Sequence, residues 1–154
     1  MGKSPGGDCV KVYSIGFTKK TAAEFFTILR QAEIRRLLDV RLHNSSQLAG
    51  FSKRGDLAFF LKELCGAEYL HEPLLTPTPD LLDGIRKKRI GWQEYEPRFL
   101  SLLAERAVEK KVDRELFHIP TVLLCSEVTA AHCHRRLVLE YLREKWGGLD
   151  IVHL

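Results

Sequence analysis

Residues 119–146 read IPTVLLCSEVTAAHCHRRLVLEYLREKW, and the order of events in that stretch decides the fold. An apolar run ends at Cys125, a polar turn follows, and a helical pattern then continues to Trp146. A strand that feeds a helix through a short polar turn is half of a β–α–β unit. The run from Ile119 to Cys125 is nearly all apolar, which is the pattern of a strand covered on both faces and central in its sheet.

Working outward, the same alternation recurs. VKVYSIGF (10–17) is a β-branched and aromatic run that predicts a buried strand. Thr21 and Glu24 then form a capping box at the start of a helix whose stripe carries Phe25, Ile28, Leu29 and Ala32. IRRLLDVR predicts a second strand ending at Asp39-Val40-Arg41, RGDLAFFLKELCG a helix stopped by Gly66, and AEYLH a third strand. The proline-rich EPLLTPTPD predicts a loop. Helices are expected over 80–88 and 93–111 and from 130 to 146, the last stopped by Gly147-Gly148, with LDIVHL as the closing strand. Strands alternating with helices predict an α/β fold: a single three-layer domain over 10–154, with a mainly parallel sheet of about five strands and helices on both faces. Residues 1–9 are expected to be a flexible leader.

Composition agrees with a globular chain. Of 154 residues, 45% are hydrophobic and 29% charged. No apolar run reaches the roughly 20 residues of a membrane span, and MGKSPGGDC has neither a signal-peptide core nor a myristoylation pattern. Four cysteines without a C-x-x-C pair read as reduced thiols, so a cytoplasmic location is expected. The net charge of +4 is mild, and the basic residues fall in short groups at Lys19-Lys20, Arg35-Arg36, Arg86 to Arg89 and Arg135-Arg136.

In a parallel sheet, ligands bind outside the carboxyl ends of the strands. Those ends carry Gly16, Phe17 and Thr18; Asp39 and Arg41; His71; and Cys125, Ser126 and Glu127. Thr129 is placed to cap the last helix, which puts His132, Cys133 and His134 in its first turn, where amides and positive potential favour anions and thiolates. Cys133 reads either as a reactive thiol near Arg135 or as a core side chain in a stripe with Leu137 and Tyr141. Cys125 carries the same two readings. Glu127 suits a general base or the orienting of a histidine or arginine. Asp39 and Arg41 share one side of a strand end, either as an anion clamp or as an internal salt bridge. Trp92, Tyr95 and Phe99 follow helical spacing and read as packing.

Three templates can be set against the spacing. A phosphatase loop needs arginine six residues after its cysteine, where Cys125 is followed by Ala131. The deaminase pair H-x-E and P-C-x-x-C does not occur. A zinc site could draw on Cys125, Cys133 and His134, with Glu127 as a further candidate, ligand types that zinc accepts. The two cysteines stand eight apart without a partner pair, so no metal ligands are assigned.

Three segments, YSIGFT (13–18), LLDVR (37–41) and LLCSEVTAAHCHR (123–135), give the chain a likeness. Over nearly its whole length it resembles domain-of-unknown-function family 488, a group of small cytoplasmic proteins. The resemblance implies an α/β fold with the three segments clustered, and it brings no established reaction. Carried over residue by residue, it marks Gly16, Thr18, Asp39, Arg41, Cys125, Glu127, Cys133, His134 and Arg135. Many relatives have histidine where this chain has Phe17, and many follow D-V-R with a proline and a serine-arginine stretch where this chain has LHNSSQLAGF.

The expected function is an enzyme or ligand-binding protein for a phosphorylated or nucleotide-like small molecule. Arg41 and Arg135 would hold the anion beside Gly16 and Thr18. Glu127, Asp39 or His134 would move protons, and Cys125 or Cys133 would be the nucleophile. The alternatives are a nucleic-acid or protein-binding module using the basic groups, and a metal protein using Cys125, Cys133 and His134. Cofactor, substrate and oligomeric state are not legible.

Overall fold

The computed structural model describes residues 9–43, 51, 53–126 and 132–154. The leader expected at 1–9 lies outside these residues except for Cys9, which is exposed. The polar segment after Arg41 likewise lies mostly outside them.

Five strands form one sheet: β1 (Val10–Gly16), β2 (Arg36–Asp39), β3 (Glu68–His71), β4 (Thr121–Cys125) and β5 (Leu149–His153). Their order is β3-β2-β4-β1-β5 and every pairing is parallel. The nearly all-apolar run of residues 121–125 is central, in line with its patterning, and every residue in it is buried.

Two cores explain the three layers. On one face Ile15, Leu37, Val122 and Leu124 pack against Phe25, Phe26 and Leu29 of α1 (Ala22–Gln31) and Leu57 of α2 (Arg54–Phe60). On the other, Val12, Leu38 and Leu123 meet Leu81 of α3 (Pro79–Arg86), Tyr95, Phe99 and Leu103 of α4 (Trp92–Arg106), Val108 of the short α5 (Val108–Lys111), and Leu137, Val138 and Leu142 of α6 (His134–Trp146). Each fully buried leucine or phenylalanine contributes about 1.5–3 kcal/mol relative to exposure.

Local chemistry sets the boundaries. The capping box at α1 forms in both directions, with Glu24 N donating to Thr21 Oγ1 at 3.0 Å and Thr21 N to Glu24 Oε1 at 2.8 Å. The second helix continues as a π-helical turn over Leu61–Cys65, ended by Gly66 at φ 62°. The proline-rich segment is not all loop: Pro73–Leu75 form a 3₁₀ turn, and Pro79 takes the first turn of α3, where a missing N–H costs nothing. The helix expected over 93–111 breaks at Ala107, which is left-handed at φ 52° and separates α4 from α5. The last helix starts at His134 rather than at 130, with Cys133 as an extended N-cap. Thr129 lies outside the described residues. Among the described residues no helix is long and apolar enough to cross a membrane.

The strand order also creates a switch point. From β1 the chain crosses β4 to reach β2 and β3, whereas from β4 it crosses β1 to reach β5. The adjacent strands β2 and β4 continue into helices on opposite faces, α2 on one and α6 on the other, and a crevice opens between their carboxyl ends.

Candidate functional site

Register brings the strand ends together. Gly16 lies opposite Cys125, and Asp39 opposite both Leu124 and His71. Thr18 ties β1 to β4 at this edge: its amide donates to the Ser126 carbonyl at 3.1 Å and its hydroxyl to the same oxygen. The Gly16 carbonyl accepts from Lys20 Nζ at 2.8 Å. Glu127 lies outside the described residues.

Asp39 and Arg41 form a buried clamp. The carboxylate accepts from Arg41 Nε at 2.9 Å, Arg41 Nη2 at 2.8 Å, the Arg41 amide at 3.0 Å and Tyr69 OH at 2.6 Å. Asp39 is 0% and Arg41 3% exposed. The guanidinium also lies over the Phe17 ring, 5.4 Å from its centroid. His71 Nε2 donates to the Arg41 carbonyl at 2.9 Å. A carboxylate with four donors is committed to holding this arginine.

Cys125, Cys133 and His134 form a second buried group. Cys125 shares a sheet face with Leu123, which belongs to the core under α6, so its thiol points toward the start of that helix. There His134 Nδ1 stands 3.4 Å from Cys125 Sγ, and His134 Nε2 lies 2.7 Å from the Val40 carbonyl oxygen. A carbonyl only accepts, so Nε2 carries the proton and Nδ1 turns its lone pair to the thiol side. The Sγ atoms of Cys125 and Cys133 and a ring nitrogen of His134 all lie within 4.8 Å of one another. Burial pushes the Cys133 thiol well above the ordinary range; the neighbouring Cys125 adds to this, and His134 works the other way.

This cluster opens on a cavity of about 80 Å³ at the switch point, lined also by Arg41, Arg86, His43 and His132. Among the described residues its wall contains no carboxylate. Trp92 forms part of it, stacked on His132 at 5.1 Å and on Tyr95 at 5.2 Å. The column continues through Phe99, whose ring meets His134 edge-on at 5.4 Å. Arg106 steadies the adjoining loop by donating to the carbonyls of Leu74 and Thr76 at 2.8 and 2.6 Å.

Arg41 is thus brought beside Cys125, Cys133 and His134, and Gly16 and Thr18 stand at the same edge. Arg135 is placed elsewhere. It is 1% exposed, and its Nε donates at 3.1 Å to Ser14 Oγ on β1, away from the cavity lining. Ser14 Oγ in turn meets His153 Nδ1 at 2.5 Å. Arg86, His43, His132 and Trp92 reach the cavity without having been singled out as site residues. The basic run at 86–89 reads as a helix end, and Trp92 as packing. His132 alone carried a signal, being part of the polar turn itself.

Fold and site together define a parallel α/β domain with a thiol–imidazole cluster and a cavity lined by arginine and histidine at the switch point of its sheet. Within that class, the chain belongs to the family described as domain of unknown function DUF488, whose match covers residues 21–142. The match takes in β2, β4 and both cysteines of the cluster, and begins after β1. No curated protein and no solved structure matches the chain.

Proposed function

We propose that this protein is an enzyme or binding protein for a small anionic molecule, phosphorylated or nucleotide-like, held in the cavity at the carboxyl ends of β2 and β4. One observation carries the reading: the described wall contains two arginines and three histidines and no carboxylate. The Arg41 charge is matched by Asp39, so Arg86 supplies the net positive charge of this wall and the imidazoles add hydrogen-bonding groups, in a partly enclosed, low-dielectric space where an anion is attracted more strongly than at an open surface.

In this reading Arg86, at the mouth, and Arg41, deeper and fixed by Asp39, attract the anionic group. Cys125, Cys133 and His134 form the floor and supply the chemistry. A nucleic-acid module is less well supported, because the basic groups do not share a face. Arg36 begins β2, at the sheet edge opposite the cavity, and is paired with Glu68 at 3.0 Å, whereas Lys20 and Arg86 lie toward the strand carboxyl ends.

Titration calorimetry with inorganic phosphate and with a nucleoside monophosphate tests the proposal. One bound anion per chain is expected, weakened about tenfold or more by Arg86→Ala, the scale of one lost charge-assisted hydrogen bond. Absence of binding, or binding indifferent to Arg86→Ala, would overturn it. Tight retention on long oligonucleotides that falls steeply with salt would favour the nucleic-acid alternative.

A further inference from the structure

We infer that Cys125, Cys133 and His134 are a binding site for one borderline-soft divalent metal ion of the zinc class, with an open coordination position facing the cavity. This deepens the anion reading, and it rests on that reading only for what occupies the open position.

The geometry leads there in four steps. First, the donor set is two thiols and an imidazole, the ligands such ions prefer. Second, the spacing is close to what a tetrahedral ion needs. Metal–sulfur bonds of about 2.3 Å and metal–nitrogen bonds of about 2.0–2.1 Å put neighbouring ligand atoms about 3.5–3.8 Å apart. The three atoms lie within 4.8 Å of one another, and the Cys125 Sγ–His134 Nδ1 pair is already at 3.4 Å.

Third, the outer contacts are those of a ligating histidine. The Val40 carbonyl holds the Nε2 proton and leaves Nδ1 as the donor. The Phe99 ring edge-packs the imidazole, and the ligands sit on the last residue of a central strand, a helix N-cap and the first residue of that helix. Fourth, all three residues line the cavity, so a fourth position would face the space shared with Arg41 and Arg86. Three protein ligands and one open position form the pattern of a catalytic rather than a structural site.

Charge supports this assignment over a lone nucleophile. Two thiolates neutralise a divalent ion, so the occupied cluster carries no net charge into the interior, and the two thiol protons leave to solvent. A cysteine–histidine pair acting as nucleophile and base would use Cys125 and leave the buried Cys133 thiol without a task. An anionic fourth ligand would bridge the ion to the Arg41–Arg86 side.

Cobalt is the probe. The full chain, stripped with a chelator under reducing conditions, is titrated with Co²⁺. The expected result is one equivalent bound, with a near-ultraviolet charge-transfer band of two-thiolate intensity, visible bands of tetrahedral strength, and stoichiometric bleaching by Zn²⁺. Cys125→Ser and Cys133→Ser each halve or abolish the charge-transfer band, and Cys65→Ser leaves it unchanged. The wild-type intensity needs no variant, so a variant that fails to fold does not remove the test. No thiolate band, or one that survives in both serine variants, would overturn the inference. Phosphate uptake by a chain that gives no cobalt band defeats the metal inference alone. A two-thiolate band in a chain that takes up no phosphate defeats the anion reading alone.

Discussion

Cys125 and His134 end one element and begin the next, yet their side chains meet, Sγ to Nδ1, at 3.4 Å beneath the cavity. The contact exists because β4 stops pointing at the α6 face and because α6 starts at His134. The Val40 carbonyl then fixes the ring from the β2 side, so one imidazole joins two strands and a helix.

The Asp39–Arg41 clamp sets the stability of this edge. Breaking a buried ion pair by removing one partner leaves an uncompensated charge and costs about 3–5 kcal/mol. Asp39→Ala is expected to lower unfolding free energy by that amount. Tyr69→Phe, which removes one of four donors to the carboxylate, should cost about 1.5–3 kcal/mol. Denaturant midpoints measure both. A loss below 1 kcal/mol in Asp39→Ala would contradict the clamp.

Arg86 offers the opposite signature. It is exposed at the cavity mouth, so Arg86→Ala should leave the denaturant midpoint within ~0.5 kcal/mol of wild type. Any effect on phosphate affinity then reports contact with the ligand rather than a damaged fold. Comparable losses in stability and affinity would remove the residue from the binding wall.

His153 introduces a pH dependence. Burial lowers its pKa from the usual 6.5, and nearby Arg135 lowers it further. The Ser14 hydroxyl accepts from Arg135 and meets His153 Nδ1 at 2.5 Å, which places the imidazole beside a fixed guanidinium. The unfolded chain therefore binds the proton more readily, so stability is fully present above about 6.5 and falls as pH drops through that value toward the lower folded pKa. His153→Gln should flatten this part of the stability profile between pH 7.5 and pH 5.5. An unchanged slope in the variant would show that the titrating group lies elsewhere.

The four thiols should differ in reactivity. Cys9 is exposed, Cys65 is half-buried with its thiol pushed up by burial, and Cys125 and Cys133 are buried. Brief alkylation of the native chain followed by peptide mass analysis should label Cys9 first and the two site cysteines only under denaturant. Early labelling of Cys133 would contradict its burial.

The sheet was legible because its evidence is local. The nearly all-apolar run 121–125, the capping box at Thr21 and Glu24, and the glycines Gly66 and Gly147 that end the second and last helices say the same thing as the fold. Gathering of Asp39, Arg41, Cys125 and Cys133 at one edge follows from parallel strands alone. Other features depend on rotation and tertiary approach. Neighbours on a helix point about 100° apart, so His134 can floor the cavity while Arg135 turns under α6 to Ser14. Arg86 and Trp92 reach the site because the helices they belong to pack over the strand ends, which no spacing within either helix announces. The eight-residue separation of the cysteines hid the cluster for the same reason: a strand end and a helix start bring them together.

A zinc-edge X-ray absorption spectrum of the zinc-loaded chain tests the central claim, that this strand–helix junction is a built reactive centre, most directly. Two sulfur neighbours at about 2.3 Å and one imidazole nitrogen at about 2.0–2.1 Å are expected, with one oxygen completing the shell. A coordination shell made only of nitrogen and oxygen would place the ion elsewhere on the molecule and contradict it.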